Sequence, residues 1–230
     1  MGKKHFVLGV IFLLIIFSVW AAYFRNKKNI QVDAPVSVQP EKISNSNPAA
    51  LPPDGKNKNG IGGDFLPPLD RAKERVTKKY FGLFITPQTS PVQPEHFTGF
   101  HTGTDFEIFS GEENIDVAVK AVCGGKLLTK KAATGYGGVM VESCELNGES
   151  ITVVYGHMKL TSITYNAGDT ISAGDTLGIL GVAYSAETGG ERKHLHLGFH
   201  KGAAINILGY VQSQAELAGW LDACQYVCGN

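Results

Sequence analysis

The sequence predicts a mainly β, antiparallel domain, and four observations carry that prediction. Glycine is abundant, at 28 of 230 residues. The apolar residues fall in many short runs, which favours strands joined by turns over a helical bundle. Asn147-Gly148 lies between two such runs and is a strong hairpin-turn signal. Lys193-His194-Leu195-His196-Leu197 alternates polar and apolar residues, and in a strand alternate side chains share a face. His194 and His196 then point one way, and Leu195, Leu197 and Phe199 point into a core. A chain of this length supports one good core plus extra segments. With 21 basic and 21 acidic residues the formal charge is zero, so no global basic field draws nucleic acid.

Taken in order, residues 1–28 read as an N-terminal membrane anchor. The stretch 6–24, FVLGVIFLLIIFSVWAAYF, is apolar and long enough to span a bilayer core of about 30 Å. Trp20 and Tyr23 stand near one end, as interface aromatics do. Lys3 and Lys4 precede it, and Arg25, Lys27 and Lys28 follow, so flanking charge sets no orientation. A cleaved signal peptide is the alternative. The apolar run is long for one and no small-x-small cleavage site follows it, which favours the uncleaved anchor.

Residues 29–70 hold most of the prolines, with Ser, Asn, Lys and Gly between them. Such a composition buries too little apolar surface to offset the entropy of ordering. It reads as a flexible linker with an r.m.s. reach of about 35 Å.

Residues 71–230 form the folded domain. Arg71–Lys79 fits either a short polar helix or a charged edge strand. Strands are expected at Phe81–Thr86, at Phe97–Phe109 with glycine interruptions, at Asp116–Leu128 and at Gly138–Ser143. Ile151–Met158 is the return strand of the Asn147-Gly148 hairpin. Thr161–Leu180 carries an internal echo, Ala167-Gly-Asp-Thr and Ala173-Gly-Asp-Thr, each a turn followed by an apolar run. Ser213 and Glu216 fit a capping box, and Leu217, Trp220, Leu221 and Cys224 follow at helical spacing. One short amphipathic helix is therefore expected at the C-terminus.

The four cysteines show no zinc-finger spacing. Cys123 and Cys144 edge strand-like runs and could cross-link neighbouring strands; Cys224 and Cys228 could close a small loop. In an oxidising compartment two disulfides are expected, with buried free thiols as the alternative.

Histidines supply the chemistry. Three short motifs stand out: His101-Thr-Gly-Thr-Asp105, Tyr155-Gly-His157 and His194-Leu-His196. A catalytic zinc keeps three protein ligands and an open position. His101, Asp105 and one histidine of the central strand would provide them, and Gly103 lets the chain turn between the first two. Two imidazoles and one carboxylate leave such a site at a net charge of about +1, which lowers the pKa of a bound water towards ~7. HxxxD alone is a weak signal whose ordinary reading is a surface hydrogen-bonded pair; together with HxH in one β-rich domain it is strong. His96 and His200 are read as ordinary surface or strand residues. Tyr136, in a glycine-rich turn, is a candidate for the wall of a substrate groove.

HTGTDF, YGHM and KHLHLGF, in that order, resemble the M23 (lysostaphin/LytM-type) zinc metallopeptidases over roughly residues 86–210. The resemblance implies a lysostaphin/LytM-like antiparallel sheet of the duplicated-hybrid-motif type. It also implies one zinc ion on His101, Asp105 and His196, with His157 and His194 catalytic. The implied activity is hydrolysis of peptide cross-links or stem peptides of bacterial peptidoglycan. Zinc would polarise the scissile carbonyl and deliver hydroxide, and the two histidines would hold the attacking water, stabilise the oxyanion and pass a proton to the leaving amine. No HExxH motif is present, so a glutamate base is not expected. Where the family usually has an acidic residue two after the last ligand, this chain has Gly198.

An anchor, a tether and disulfides suit a catalytic domain held outside the cytoplasm by a single-pass segment, or secreted after cleavage. The sequence names no regulatory partner. A non-enzymatic wall-binding or hydrolase-activating relative is the second reading, and the presence of all five side chains argues against it. A biotinyl- or lipoyl-type carrier, suggested by Met158-Lys159 and the twin Gly-Asp turns, is a distant third; it explains neither His101 and Asp105 nor the HxH strand.

Overall fold

A computed structural model describes residues 65–229. The apolar stretch 6–24, and the linker as far as residue 64, lie outside them. Among the described residues no helix is long and apolar enough to cross a membrane.

Twelve strands are described, in three antiparallel sheets. In chain order they are β1 (Phe84–Ile85), β2 (Gly99–His101), β3 (Gly103–Glu107), β4 (Ala118–Lys120), β5 (Gly125–Ala133), β6 (Gly137–Leu146), β7 (Glu149–Gly156), β8 (Thr170–Ile171), β9 (Thr176–Ile179), β10 (His194–Lys201), β11 (Tyr210–Val211) and β12 (Trp220–Leu221). The main sheet runs β12-β10-β7-β6-β5-β8, and β3 pairs with the N-terminal half of β10. A small sheet, β1-β2-β11, stands beside the site, and β4 pairs with β9.

The hairpin signal is realised. Asn147 and Gly148 both have positive φ, 54° and 83°, the backbone of a two-residue turn matched to strand twist, and Leu146 faces Glu149 across it. The alternation in β10 is also realised. Leu195, Leu197 and Phe199 enter the main core with Val153, Tyr155 and Met140. On the opposite face Val139, Val141 and Val154 pack with Tyr136 and Trp220. Each fully buried side chain of this kind contributes roughly 1.5–3 kcal/mol. Both faces of the central strands are therefore covered, and the sheet is a rigid base for what β10 presents.

Several local expectations change. Arg71–Lys79 resolves into one helical turn, α1 (Ala72–Arg75). The expected strand Asp116–Leu128 is two strands, β4 and β5, parted by a turn around Gly124. Residues 65–70, grouped by composition with the linker, pack on the body: Leu69 is buried, and Phe65 lies 5.4 Å from the Phe199 ring.

The single C-terminal amphipathic helix is not what forms. The capping box is present, with Ser213 accepting from the Glu216 amide, but it starts only one turn, α2 (Gln214–Leu217). Trp220 and Leu221 then extend to pair with His200 and Phe199 of β10, and a second turn, α3 (Cys224–Val227), follows. Helical spacing lost to the open edge of β10, whose backbone groups need partners.

Cys123 bonds Cys144 and Cys224 bonds Cys228, with Cα–Cα distances of 6.1 and 4.8 Å. The first ties the turn after β4 to β6.

Candidate metal centre

Strand register builds the site. Across the β3–β10 pair, Asp105 stands opposite His196 and Glu107 opposite His194. On the other side of β10, His196 stands opposite Gly156, so His157 follows directly at the end of β7. His101 ends β2, and two residues later the chain enters β3. His101, Asp105, His157, His194 and His196 are all buried, each 5% exposed or less. Four imidazoles thus surround one carboxylate at the floor of a groove of about 390 Å³.

The donor atoms of His101, Asp105 and His196 form a small triangle. His101 Nε2 lies 3.0 Å from His196 Nδ1, and Asp105 Oδ1 lies 3.2 Å from each of them. Tetrahedral zinc with ligand bonds of about 2.0–2.1 Å separates its ligands by about 3.3–3.4 Å. The triangle is within a few tenths of an ångström of that size, and its donor set of two nitrogens and one carboxylate oxygen is one that zinc takes. An outer hydrogen bond fixes the tautomer of His101. His101 Nδ1–H donates to the Tyr80 carbonyl at 3.1 Å, which leaves the Nε2 lone pair for the triangle. The Asp105 amide donates to the Lys79 carbonyl at 3.0 Å.

His157 and His194 form a second pair, with ring centroids 4.2 Å apart. His157 Nδ1–H donates to Thr188 O at 3.0 Å, and His194 Nδ1–H donates to Arg192 O at 2.9 Å. Each keeps Nε2 for other partners. His157 is left-handed, at φ 63°. For a non-glycine residue this costs roughly 1–2 kcal/mol, and it persists because Gly181 N–H holds the His157 carbonyl at 2.8 Å while Thr188 holds the ring. Backbone strain of this kind gathers at functional sites.

Electrostatics follow from burial. Burial pushes His196 down to about 4, with His101 adding to the effect and Asp105 opposing it. The ring is neutral near pH 7, and its lone pair is open to a cation. Burial, then His194, also holds His157 well below the ordinary histidine range. Burial alone would raise Asp105, but attraction to His194 and His101 outweighs it and keeps the carboxyl well below the usual range.

Two glycines give the site its room. A Cβ at Gly103 would lie 2.6 Å from His196 Nε2, and one at Gly156 would lie 2.4 Å from the Tyr136 ring. Tyr136 lines the groove, edge-on to His196 with centroids 5.3 Å apart. Gly198 faces Trp220 and the Nε2 side of His196 rather than the open groove. His200 packs edge-on against Trp220, with ring centroids 4.8 Å apart, and His96 is exposed; neither lines the groove.

Sequence reading overlooked several participants. Arg192 donates from Nη2 to Asp105 Oδ2 at 2.9 Å and chelates Glu107. Lys79 makes a buried ion pair with Glu95 and donates to Tyr210 Oη, whose ring lies against His101. A signal for the first pair was available: Arg192 precedes His194 by two, and Glu107 follows Asp105 by two, so alternation puts each on the face of its neighbour. Lys79, Glu95 and Tyr210 carry no such spacing.

Residues 99–207 match the model of Peptidase family M23. Among solved structures, LytU is 22% identical over 66% of this chain and 83% of that one, with a TM-score of 0.44. The catalytic domain of the antimicrobial peptidase lysostaphin from Staphylococcus simulans is 19% identical over 67% and 93%, with a TM-score of 0.45. A zinc containing peptidase from Vibrio cholerae is 20% identical over 60% and 37%, with a TM-score of 0.39. No curated protein matches the chain.

Proposed function

Because this chain belongs to peptidase family M23 through residues 99–207, we propose that it is a zinc-dependent endopeptidase that hydrolyses peptide cross-links or stem peptides of bacterial peptidoglycan. The observation that carries the reading is the triangle of His101 Nε2, Asp105 Oδ1 and His196 Nδ1, with sides of 3.0, 3.2 and 3.2 Å, beside a second pair of imidazoles. The antiparallel sheet is taken, on the same grounds, to be of the lysostaphin/LytM type.

In this reading His101, Asp105 and His196 hold one zinc ion. When bound, zinc supplies Lewis-acid polarisation and acidifies water. The chain's own groups do the rest. His157 and His194 line the groove with their Nδ1 protons committed to the Thr188 and Arg192 carbonyls, and His194 Nε2 lies 3.3 Å from Asp105 Oδ2. There an Nε2 lone pair accepts from the attacking water and takes its proton, and the imidazolium so formed donates to the developing oxyanion and passes the proton to the leaving amine. Tyr136 and its neighbours wall the groove against bulk solvent, which strengthens each of these interactions. The composition of residues 1–64 supports a membrane-anchored, tethered domain acting outside the cytoplasm.

The test is digestion of purified peptidoglycan by the full chain, with and without a chelator, followed by mass spectrometry of the released peptides. The reading requires new amino termini that appear only without chelator and return when zinc is restored. Intact walls under all conditions would favour the wall-binding alternative.

A further inference from the structure

We propose that Arg192 is a positioning residue of this site: its guanidinium orients Asp105 so that Oδ1 alone faces the metal position, and its carbonyl orients His194. The inference rests on reading the site as a metal centre.

A buried carboxylate has two equivalent oxygens, and something must decide which one meets the cation. Here the two are held differently. Oδ1 lies 3.2 Å from both His101 Nε2 and His196 Nδ1. Oδ2 takes a hydrogen bond from Arg192 Nη2 at 2.9 Å and lies 3.3 Å from His194 Nε2. A guanidinium on Oδ2 breaks the symmetry and keeps that oxygen out of the triangle. The same guanidinium donates from Nε to both Glu107 oxygens, at 3.0 and 2.9 Å. One planar fork thus clamps two carboxylates that β3 projects on one face, a geometry that a point-charge ammonium does not reproduce.

The clamp is itself anchored. Arg192 is 8% exposed. The Glu107 carbonyl accepts from Arg75 Nη1 at 3.1 Å, and Arg75 in turn pairs with Glu112. The neighbouring Lys193 ends on the backbone carbonyls of Glu112 and Ile115, at 3.0 and 2.6 Å. Residues 192 and 193 are therefore stapled in place where β10 begins. Through the bond from His194 Nδ1–H to Arg192 O, that placement sets the ring of His194 as well. A single residue orients a metal ligand with its side chain and a catalytic imidazole with its backbone.

The test is calorimetric titration of the metal-stripped full chain with Zn²⁺ for wild type, Arg192→Gln, Arg192→Lys and Glu107→Gln, with kcat and KM for each zinc-saturated protein on cross-linked wall peptides. Arg192→Gln should lower zinc affinity by roughly 10- to 100-fold. At saturating zinc it should lower kcat with KM nearly unchanged. Arg192→Lys, which keeps the charge without the fork, should recover only part of the loss. Should Arg192→Gln fail to fold, Glu107→Gln, which frees half of the clamp and leaves Arg192 in place, should still weaken zinc binding. Wild-type zinc affinity and kcat in the folded Gln variants, even with a lowered Tm, would overturn the inference alone. A wild-type chain that binds no zinc would overturn the metal-centre reading and this inference with it.

Discussion

His196 stands directly opposite Asp105 across two paired strands, and its Nδ1 lies 3.2 Å from Asp105 Oδ1. Register alone sets that distance, so the two groups need no loop to bring them together. The third corner, His101, comes from a different sheet. Removing any corner leaves two donors, too few to hold zinc at a catalytic site. His101→Ala, Asp105→Ala and His196→Ala should each lose zinc by elemental analysis. His157→Ala and His194→Ala should keep it and lose roughly 10²- to 10⁴-fold in turnover.

Gly103 tests the close approach of β3 to β10. In Gly103→Ala the new methyl would lie 2.6 Å from His196 Nε2 and 2.7 Å from the Leu197 carbonyl. Backbone must move, at a cost of roughly 1–3 kcal/mol. The expected outcome is a lower Tm together with weaker zinc binding. Gly148→Ala, in open space at φ 83°, should lower Tm without touching zinc.

Glu142 makes stability depend on pH. It is fully buried, accepts from Tyr155 Oη at 2.7 Å, and leaves Oε1 without a partner. Burial pushes it up to about 7, against the Tyr155 hydrogen bond and with a contribution from Asp175. The folded chain therefore keeps this proton at a pH where the unfolded chain, near the ordinary value of 4.5, has lost it. The stabilisation is complete below about pH 4.5 and is lost as pH rises to about 7, in total about 3 kcal/mol. Denaturant midpoints at pH 5 and pH 8 should show the wild type weaker at pH 8. Glu142→Gln should flatten that difference, and an identical slope in both proteins would contradict the assignment.

The capping box offers a local control. Ser213→Ala removes the acceptor for the Glu216 amide and should cost about 1 kcal/mol. Neither Ser213 nor Glu216 lines the groove, so zinc content should not change.

The legible parts of this molecule were those governed by short-range rules. Period-two alternation assigned Leu195 and Leu197 to the core and His194 and His196 to the other face, because a strand's side chains have nowhere else to go. Asn147-Gly148 announced its turn because both residues must take positive φ. Where a distant edge competed with a local pattern, local reading failed. The helical spacing from Leu217 to Cys224 gave way because β10 offered Trp220 and Leu221 backbone partners. The outer layer of the site was hidden for the same reason. Tyr80 O and Thr188 O act through backbone carbonyls that any residue carries, and Lys79 meets Tyr210 across 131 positions of sequence. Only Arg192 and Glu107 stood at a spacing that could have revealed them.

The most direct measurement is anomalous scattering at the zinc edge from crystals of the zinc-loaded protein. One peak is expected, about 2.0–2.2 Å from each of His101 Nε2, Asp105 Oδ1 and His196 Nδ1, with Asp105 Oδ2 still on Arg192. Zinc bound elsewhere, or none at that triangle, would contradict it.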